Sequence, residues 1–547
     1  MNTATMSDGV RLLTGVPLFA GLPPAVVAEL AAVARPRTVR AGEWLFRRGE
    51  RGDALYVVRT GRVEIVLDGL VVRAHGRGES FGEVAMLTGG RRSADVRARR
   101  DSELLALSTA DVDRLIATEP AFSAALVREL ARRIPGAEPP GVGARRTGSV
   151  LALVAGTPGL ERVIAWLARE LPGALGAPVL RLHPDPDPAR WPGRLDAAEA
   201  GGGTVLIVAD RPGTPWARYG LRQADLPLVV ADPRRPPPGH PEVGVGLVAL
   251  GTAGLARWLD ALAPVAHHLV EPGCREDLVR LGRRVGVRSV GVVLSGGGAR
   301  GLAHIGVLDE LVRAGVRIDR VGGTSMGAVV GGMFACGTSP AELLDLARAE
   351  LVPHRLFGDV VWPRHALIRG RRAELSLARL FDGALIEDQR RRFFAVSVDL
   401  VAAERVVHRR GPIADAVGLS VRIPGIVPPR RVGERLHVDG GVLDNLPVGE
   451  MAAEREGPVL AVDVAQPFGV HPADPDALPP IVDTIARSMM IAGGRRDDPV
   501  RSLAHTVLTP HLDGFGLFDF GRLDELVDRG REAARAALPQ LRDLLHR

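Results

Sequence analysis

Short apolar runs separated by glycine-containing turns characterise the first part of the chain. Strand-like segments of this kind lie at 43–47, 54–59, 63–67, 71–74, 93–98 and 104–107. Helical patterns flank them at 24–33 and at 110–134, and the second pattern breaks near Pro120. Strands this short and evenly spaced are typical of a small β-roll or barrel. The pattern therefore predicts an N-terminal β-roll with flanking helices over residues 1–135.

The periodicity changes after a stretch rich in proline and glycine at 136–148, which predicts a linker. Beyond it, apolar runs alternate with helical stretches such as 159–171 as far as residue 272. This alternation predicts an α/β layer with a parallel sheet. No motif assigns a role to this intermediate domain. Its strand-like runs lie at 150–155, 178–182, 204–209, 226–231 and 245–250.

A second α/β pattern occupies residues 273–547, with its core expected at 289–454. A strand-like run at 289–294 leads into a glycine-rich loop and a helical pattern at 303–314. A further run at 319–323 leads into a turn and an apolar helix, and 523–545 has the pattern of a terminal helix. The predicted fold class is a multidomain chain with a β-roll, a middle α/β segment and a C-terminal α/β domain.

The composition narrows the function classes. A chain of 547 residues with 46% hydrophobic and 24% charged residues has the composition of an ordinary multidomain globular protein. All 70 cationic residues are arginine and are interspersed among 64 acidic ones, so the net charge of +6 forms no basic tail and nucleic-acid binding is not expected.

The cysteine content and the apolar stretches bear on location. Two cysteines cannot form a disulfide framework, and the N-terminus lacks the pattern of a secretory signal. The uncharged stretch at 321–340 contains six glycines and several hydroxyl residues, which favours a turn and buried helix over a membrane span. We expect a cytoplasmic protein whose contact with a membrane is at most peripheral.

The sequence Gly323-Thr324-Ser325-Met326-Gly327 lies between a predicted strand and an apolar helix. A nucleophile elbow has this context, because the serine must lie on a strained turn and side chains at the two glycine positions would collide with neighbouring backbone. The following helix adds a positive N-terminal dipole beside Ser325. The motif predicts a nucleophilic serine, with a chance glycine turn as the alternative.

A run of glycines, Gly296, Gly297 and Gly298, follows the strand at 289–294. Consecutive glycines expose backbone N–H groups, which can bind a phosphate or stabilise an oxyanion. A dinucleotide-binding interpretation stays open, since Gly296, Gly298 and Gly301 with Asp319 match that fingerprint. The serine elbow nearby favours the oxyanion hole, because such an elbow requires oxyanion donors.

Asp439, followed by Gly440 and Gly441, ends a strand-like run. A carboxylate there can act alone as the general base for a serine, although an Asp-Gly turn is the alternative. A Ser-His-Asp triad is a further alternative. Its candidate bases are His304, His354, His365, His437 and the pair His267-His268.

The β-roll has a constellation of its own. Glu83 follows Gly82 at the start of a short helical pattern, and Arg92 follows a few residues later. A glutamate that accepts from a ribose hydroxyl and an arginine that pairs with a cyclic phosphate would together bind a cyclic nucleotide. An exposed turn with a charged pair is the alternative.

The motifs SGGGARG, GTSMG and DGG, in this order, resemble those of the patatin-like phospholipase family. The N-terminal segment resembles cyclic nucleotide-binding domains of the catabolite-activator and protein-kinase regulatory type. The combination is similar to bacterial relatives of neuropathy target esterase. Such relatives often carry a membrane anchor and more than one nucleotide domain, and the sequence displays neither.

The resemblance implies a role for each matching residue. Ser325 would be the nucleophile, Asp439 its base, and the amides around Gly296, Gly297 and Gly298 the oxyanion donors. Gly82, Ser93 and Ala94 would complete the nucleotide site around Glu83 and Arg92. We therefore expect a serine acyl hydrolase that acts on a phospholipid or lysophospholipid ester.

Such a hydrolase needs no cofactor for catalysis, and a cyclic nucleotide, cAMP or cGMP, would regulate it from a separate site. The alternative function is a cyclic-nucleotide-responsive scaffold with an idle hydrolase domain. A transcriptional sensor is not favoured, because no DNA-reading helix pair follows the β-roll. The sequence does not specify the head group, the acyl length, the choice between cAMP and cGMP, or the oligomeric state.

Overall fold

The computed structural model describes residues 3–67, 70–87, 90–131, 149–239, 241, 243–351, 359–362, 364–465, 484–485, 488 and 499–545. The chain divides into two compact units, Met1–Cys274 and Arg275–Arg547. The predicted linker at 136–148 lies outside the described residues. Within the described part of the chain, no helix combines the length and the apolar character needed to cross a membrane.

The first unit begins with a β-roll made of two antiparallel sheets, which confirms the predicted N-terminal fold. One sheet has the strand order β1-β8-β3-β6 and the other β2-β7-β4-β5. The apolar faces of the two sheets enclose a core that includes Phe46, Tyr56 and Phe81. The strands are β1 (Arg35–Val39), β2 (Trp44–Phe46), β3 (Ala54–Thr60), β4 (Arg62–Leu67), β5 (Leu70–Gly76), β6 (Ser80–Phe81), β7 (Asp95–Ala98) and β8 (Ser102–Ser108).

Helices close one side of the β-roll. Phe19, which follows the first helix, stacks on Phe122 with the ring centroids 5.8 Å apart. A capping box of Ser108 and Asp111 starts the fourth helix, and the chain breaks before Pro120 as the sequence predicts. The helices are α1 (Thr3–Thr14), α2 (Pro24–Val33), α3 (Glu83–Leu87), α4 (Thr109–Thr118) and α5 (Pro120–Ala131).

A parallel sheet with the order β10-β11-β9-β12-β13-β14 follows in the same unit. Its four central strands are largely buried apolar runs, as expected for an α/β layer. The edge strand β14 has two histidines and was not predicted. The elements are β9 (Val150–Ala155), α6 (Glu161–Leu175), β10 (Val179–Leu182), α7 (Trp191–Ala200), β11 (Thr204–Ala209), α8 (Pro215–Gln223), β12 (Leu226–Ala231), β13 (Gly246–Ala249), α9 (Leu255–Leu262) and β14 (Ala266–Leu269).

Ion pairs join the β-roll to this parallel layer. The buried guanidinium of Arg100 donates to the Asp225 carboxylate, with Nε 2.7 Å from Oδ1, and to Glu199 at 2.9 Å. Beside it, Arg222 Nε and Nη2 donate to the Asp101 carboxylate at 2.9 and 2.8 Å. The β-roll and the parallel layer therefore form one continuous unit.

The second unit is a mixed sheet between helices. Its strand order is β19-β20-β17-β16-β15-β21-β22, and β18 pairs with β17. The pairs β15–β16, β16–β17, β15–β21 and β21–β22 are parallel, whereas β17–β18, β17–β20 and β19–β20 are antiparallel. The strands are β15 (Val290–Leu294), β16 (Ile318–Thr324), β17 (Arg392–Asp399), β18 (Glu404–His408), β19 (Arg430–Val432), β20 (Arg435–Asp439), β21 (Val459–Val462) and β22 (Thr506–Leu508).

The helices of this unit cover both faces of the sheet. The uncharged stretch at 321–340 forms the end of β16 and a wholly buried helix, as its glycines and hydroxyls predicted. The helices are α10 (Arg275–Val285), α11 (Ala303–Arg313), α12 (Met326–Ala335), α13 (Pro340–Leu346), α14 (Arg371–Phe381), α15 (Ile413–Ser420), α16 (Val448–Ala453) and α17 (Leu523–Leu545).

Two glycines set the distance between α11 and α17. A Cβ added at Gly306 would lie 1.9 Å from Val527 O, and one added at Gly530 would lie 1.9 Å from Ala303 O. Both neighbours are helix backbone, which cannot rotate away as a side chain can. The terminal helix therefore packs against α11 at a separation that only glycine permits at these two positions.

We predict that Gly530→Ala lowers the free energy of unfolding of the second unit by about 1–3 kcal/mol, because the added methyl overpacks the helix crossing. Calorimetric unfolding of the full chain measures the change. Gly521→Ala is the matched control, since nothing lies within 4 Å of its added Cβ. Equal stability of the two variants would contradict the packing argument.

Candidate active site

Ser325 lies between β16 and α12 with φ 53° and ψ −123°. A non-glycine residue at this positive φ is strained, and such strain persists only when surrounding structure enforces it. The flanking glycines explain the enforcement. An added Cβ at Gly323 would lie 2.6 Å from the carbonyl carbon of Gly327, and one at Gly327 would lie 2.2 Å from Leu294 O. The turn has the geometry of a nucleophile elbow.

The backbone of the elbow is held by a second serine. The N–H of Ser325 donates to Ser420 Oγ at 2.8 Å, and that hydroxyl donates to Val396 O at 2.6 Å. Ser420 ends α15, about a hundred residues away along the chain and without any motif around it. Sequence reasoning missed it, because nothing in its local pattern indicates the contact.

Asp439 ends β20 and pairs with Ser397 of β17. Its Oδ1 accepts from the N–H of Gly441 at 2.8 Å, and its buried Oδ2 accepts no hydrogen bond of normal geometry from the described residues. Burial raises the pKa of this carboxyl to about 6, against the opposing effects of the Gly441 N–H and the nearby Ser325 hydroxyl. Oδ2 therefore has no partner of normal hydrogen-bond geometry among the described residues, and the Ser325 hydroxyl lies close enough to lower the pKa of the carboxyl.

The glycine loop lies against Ser325. A Cβ at Gly296 would be 3.0 Å from Ser325 Cβ and 2.6 Å from Asn445 Oδ1, so a larger residue would displace both. Asn445 Nδ2 donates to Gly296 O at 3.2 Å. Gly298 has φ 55°, and its added Cβ would lie 2.3 Å from Leu517 O.

One of the three predicted oxyanion donors is already engaged. The N–H of Gly296 donates to Asn445 O at 3.2 Å, which corrects the expectation that it is free for an oxyanion. Among the hydrogen bonds of the described residues, none engages the N–H groups of Gly297 and Gly298. These two amides remain as candidate donors.

The dinucleotide interpretation does not fit the geometry. Asp319 lies near the amino end of β16, whereas the glycine loop follows the carboxyl end of the parallel strand β15. The Asp319 carboxylate also accepts from Arg283 Nε at 2.9 Å. An acidic residue at the opposite end of the sheet cannot hold the ribose of a nucleotide whose phosphate lies on this loop.

Two of the candidate histidine bases, His304 and His437, have other partners. His304 Nε2 lies 2.8 Å from Ser295 O, and burial lowers the pKa of its imidazole to about 4. His437 Nδ1 lies 2.9 Å from Ser397 Oγ, and burial lowers its pKa as well. His354 lies outside the described residues, and His365 is exposed. Within the described part of the chain no histidine is hydrogen-bonded to Ser325.

Ser325 opens into an apolar cleft that the sequence did not reveal. Helices α12, α14 and α15 and the loop before α17 contribute its lining. The cleft is largely apolar, which suits a hydrocarbon chain. Its apolar side chains include Met326, Val329, Ile368, Leu377, Leu380, Val421, Ile423, Val427, Leu517, Phe518 and Phe520.

The predicted nucleotide residues also come together. Glu83 and Arg92 are both buried, and Arg92 Nη1 donates to Gly82 O at 3.1 Å. A Cβ at Gly82, which has φ 93°, would lie 2.8 Å from that same nitrogen. Ser93 is exposed and Ala94 half-buried beside them.

The Arg92 guanidinium is held inside the β-roll. Its Nη2 donates to Asp53 Oδ1 at 3.2 Å and to Ala54 O at 3.1 Å, and its carbon lies 4.1 Å from the Phe46 ring centroid. Its buried Nε has no hydrogen-bond partner among the described residues. A buried cation with an unused donor fits an anionic phosphate.

Comparisons with known proteins agree with this layout. Residues 292–452 match the patatin-like phospholipase family and residues 36–119 match the cyclic nucleotide-binding domain. An NTE family protein of Mycobacterium tuberculosis is 33% identical over 98% of this chain and 98% of its own length.

Two eukaryotic relatives are similar over most of this chain and less than half of their own length. Patatin-like phospholipase domain-containing protein 6 of Homo sapiens is 28% identical over 91% of this chain and 44% of its own. Lysophospholipase NTE1 of Yarrowia lipolytica is 25% identical over 92% of this chain and 46% of its own.

The likeness to the mycobacterial protein extends over nearly the whole of both chains and includes both recognised domains. The second unit thus contains a patatin-like phospholipase domain, which is a carboxylic ester hydrolase, and the first contains a cyclic nucleotide-binding domain. The protein belongs to the NTE family.

Proposed function

We propose that the protein is a serine acyl hydrolase that cleaves the carboxylic ester of lysophospholipids or phospholipids with a Ser325-Asp439 dyad. The observation that carries the proposal is the buried Asp439 carboxylate, whose Oδ2 is unengaged beside a serine on a strained elbow. The apolar cleft at Ser325 supports a substrate with an acyl chain. Two relatives named phospholipase and lysophospholipase support the same substrate class.

In the proposed reaction, Asp439 Oδ2 takes the proton of the Ser325 hydroxyl while Oγ attacks the ester carbonyl carbon. The N–H groups of Gly297 and Gly298 donate to the oxyanion that forms, and the N-terminus of α12 adds a favourable dipole. The tetrahedral intermediate collapses, and Asp439 gives its proton to the leaving alcohol. An acyl-enzyme remains on Ser325.

Hydrolysis of the acyl-enzyme repeats these roles. Asp439 removes a proton from water, which attacks the acyl carbon, and the same two amides again bind the oxyanion. Ser325 leaves with the proton, and a fatty acid is released. Each step uses only side chains and amides of this chain together with water.

We propose that cAMP or cGMP binds in the β-roll and regulates this activity. Arg92 would pair with the cyclic phosphate and Glu83 would accept from the ribose hydroxyl, with Gly82, Ser93 and Ala94 around them. Regulation requires two states of the protein that bind the nucleotide with different affinity.

We also propose a division into domains and a location. The proposed domains are a nucleotide-binding domain at 1–135, an intermediate domain at 149–272 and a hydrolase domain at 273–547. The presence of separate sheets in the three segments supports this division. A substrate that resides in membranes implies peripheral contact of a cytoplasmic protein with lipid.

We predict that Ser325→Ala reduces fatty-acid release from lysophosphatidylcholine micelles by about a thousandfold or more, because the nucleophile is lost. Labelling with a fluorophosphonate probe, which reacts with activated serines, should vanish in the same variant. Ser339→Ala, at an exposed helix cap, is the control and should keep both signals. A wild-type protein that takes up no probe and releases no fatty acid would favour the idle scaffold.

We predict that kcat/KM rises as the pH increases through about 6 and then levels off. The pKa of Asp439 is raised to about 6, so the carboxylate form that acts as base dominates only above this pH. Initial rates with a soluble ester between pH 4.5 and pH 8 give the profile. A rate that does not change across pH 6 would show that Asp439 is not the titrating base.

We predict that Arg92→Ala weakens binding of cAMP and cGMP by about ten- to a hundredfold, the loss expected for a charge-assisted contact. Isothermal titration calorimetry measures the dissociation constants. Arg114→Ala, on the exposed side of α4, is the control and should bind as the wild type does. Unaltered binding by Arg92→Ala would overturn the assignment of the nucleotide site.

A further inference from the structure

A second, polar pocket lies beside the apolar cleft in the same unit. It is formed by the first turns of α14, one face of α15 and the segment that leads into β19. None of the steps proposed above uses it. Its charged lining residues are Arg369, Arg371, Glu374, Asp415, Arg422, Arg430 and Arg431.

Positive charge is in excess in this pocket. Asp415 Oδ1 lies 3.0 Å from Arg430 Nη2, and Glu374 pairs with Arg422, so both acids are engaged. The guanidinium groups of Arg369 and Arg371 are exposed, and neither pairs with an acidic side chain of the described residues. A concave surface with this balance attracts an anion.

Arg422 connects the pocket to the dyad. Its carbonyl oxygen accepts from the N–H of Asp439 at 2.9 Å, so its backbone lies next to the base. Its side chain is only 5% exposed, and Nη1 donates to Pro428 O at 2.7 Å. Its Nε is buried without a hydrogen-bond partner in the described part of the chain.

The two pockets share a wall. Glu374, Gly418 and Arg422 line both the apolar cleft that contains Ser325 and the polar pocket. A lysophospholipid has the same layout, since its glycerol separates an acyl ester from a phosphate. With the ester at Ser325 and the acyl chain in the cleft, the phosphate would lie beside the shared residues, at the border of the cationic pocket.

We propose that this arginine pocket binds the phosphate of the substrate's head group. The inference rests on the proposed hydrolase function and assigns its substrate specificity. Arginine suits the task, because its planar fork donates two parallel hydrogen bonds to phosphate oxygens. Arg369 and Arg371 supply the accessible charge, and Arg422 supplies a buried donor close to the dyad.

The test compares two substrates with the same acyl chain, lysophosphatidylcholine and a monoacylglycerol that lacks the phosphate. The measured quantity is kcat/KM for lysophosphatidylcholine divided by kcat/KM for the monoacylglycerol. This ratio cancels any general loss of folded enzyme. In Arg369→Gln/Arg371→Gln this ratio should fall about tenfold or more, equivalent to about 1.4 kcal/mol of lost discrimination. A ratio that stays within twofold of the wild-type value would overturn the proposal.

The matched control is Arg313→Gln/Arg529→Gln. It removes the same charge from exposed positions on α11 and α17, which line neither pocket. Its ratio should equal that of the wild type. An equal fall in both double variants would assign the effect to net charge at the lipid surface and overturn the proposal.

A binding measurement separates the sources of phosphate and does not depend on turnover. Calorimetry with Ser325→Ala should show binding of glycerophosphocholine that is lost when Arg369→Gln/Arg371→Gln is added. Binding of inorganic phosphate without glycerophosphocholine would make the pocket a free-phosphate site and overturn the head-group assignment. If the wild-type protein binds glycerophosphocholine and hydrolyses neither lysophosphatidylcholine nor the monoacylglycerol, the proposed hydrolase function is refuted. The assignment of the pocket as a phosphate site would then stand.

Discussion

The active site depends on how closely two stretches of backbone approach each other at the carboxyl ends of β15 and β16. A Cβ added at Gly327 would lie 2.2 Å from Leu294 O. A Cβ added at Gly323 would lie 2.6 Å from the carbonyl carbon of Gly327. This contact fixes the start of α12 and keeps Ser325 at φ 53°. A side chain at either glycine would separate the strand end from the helix, and the serine could then relax out of its strained turn.

Sheet topology brings the remaining groups to this point. Parallel strands carry the glycine loop and the elbow to the same edge of the sheet, where loops of α/β folds meet ligands. Asp439 lies at the carboxyl end of β20, which runs antiparallel to β17. Its burial next to the elbow raises its pKa, so the same packing that positions the base also tunes it.

The amino ends of these strands have a different role. Arg320, fully buried on β16, donates from Nε to Ser289 Oγ at 2.8 Å and lies 3.3 Å from Glu454. Arg284 pairs with Glu456 in the same cluster. Loss of one partner from a buried pair costs about 3–5 kcal/mol, so this end of the sheet anchors the fold and the other end supplies chemistry.

The sequence allowed prediction of those parts of the site that depend on backbone shape. Glycines around Ser325, after β15 and after Asp439 lie at close backbone approaches that only glycine permits. A glycine motif can be read directly from the sequence, so these positions could be predicted. Ser420 and Arg422 were not predicted, because their roles arise from distant segments that the fold brings together. The edge strands β1 and β14 were missed for a different reason, since their sequences RPRTV and AHHL contain few apolar residues that would mark a strand.

The interface between the β-roll and the parallel layer constrains any regulation by a nucleotide. Arg100 is 2% exposed between Asp225 and Glu199, so opening this interface would leave a buried charge without its partners. That cost, about 3–5 kcal/mol, exceeds the coupling free energy of typical allosteric sites, which is about 1–3 kcal/mol. A ligand in the β-roll would therefore move the roll and the parallel layer as one body.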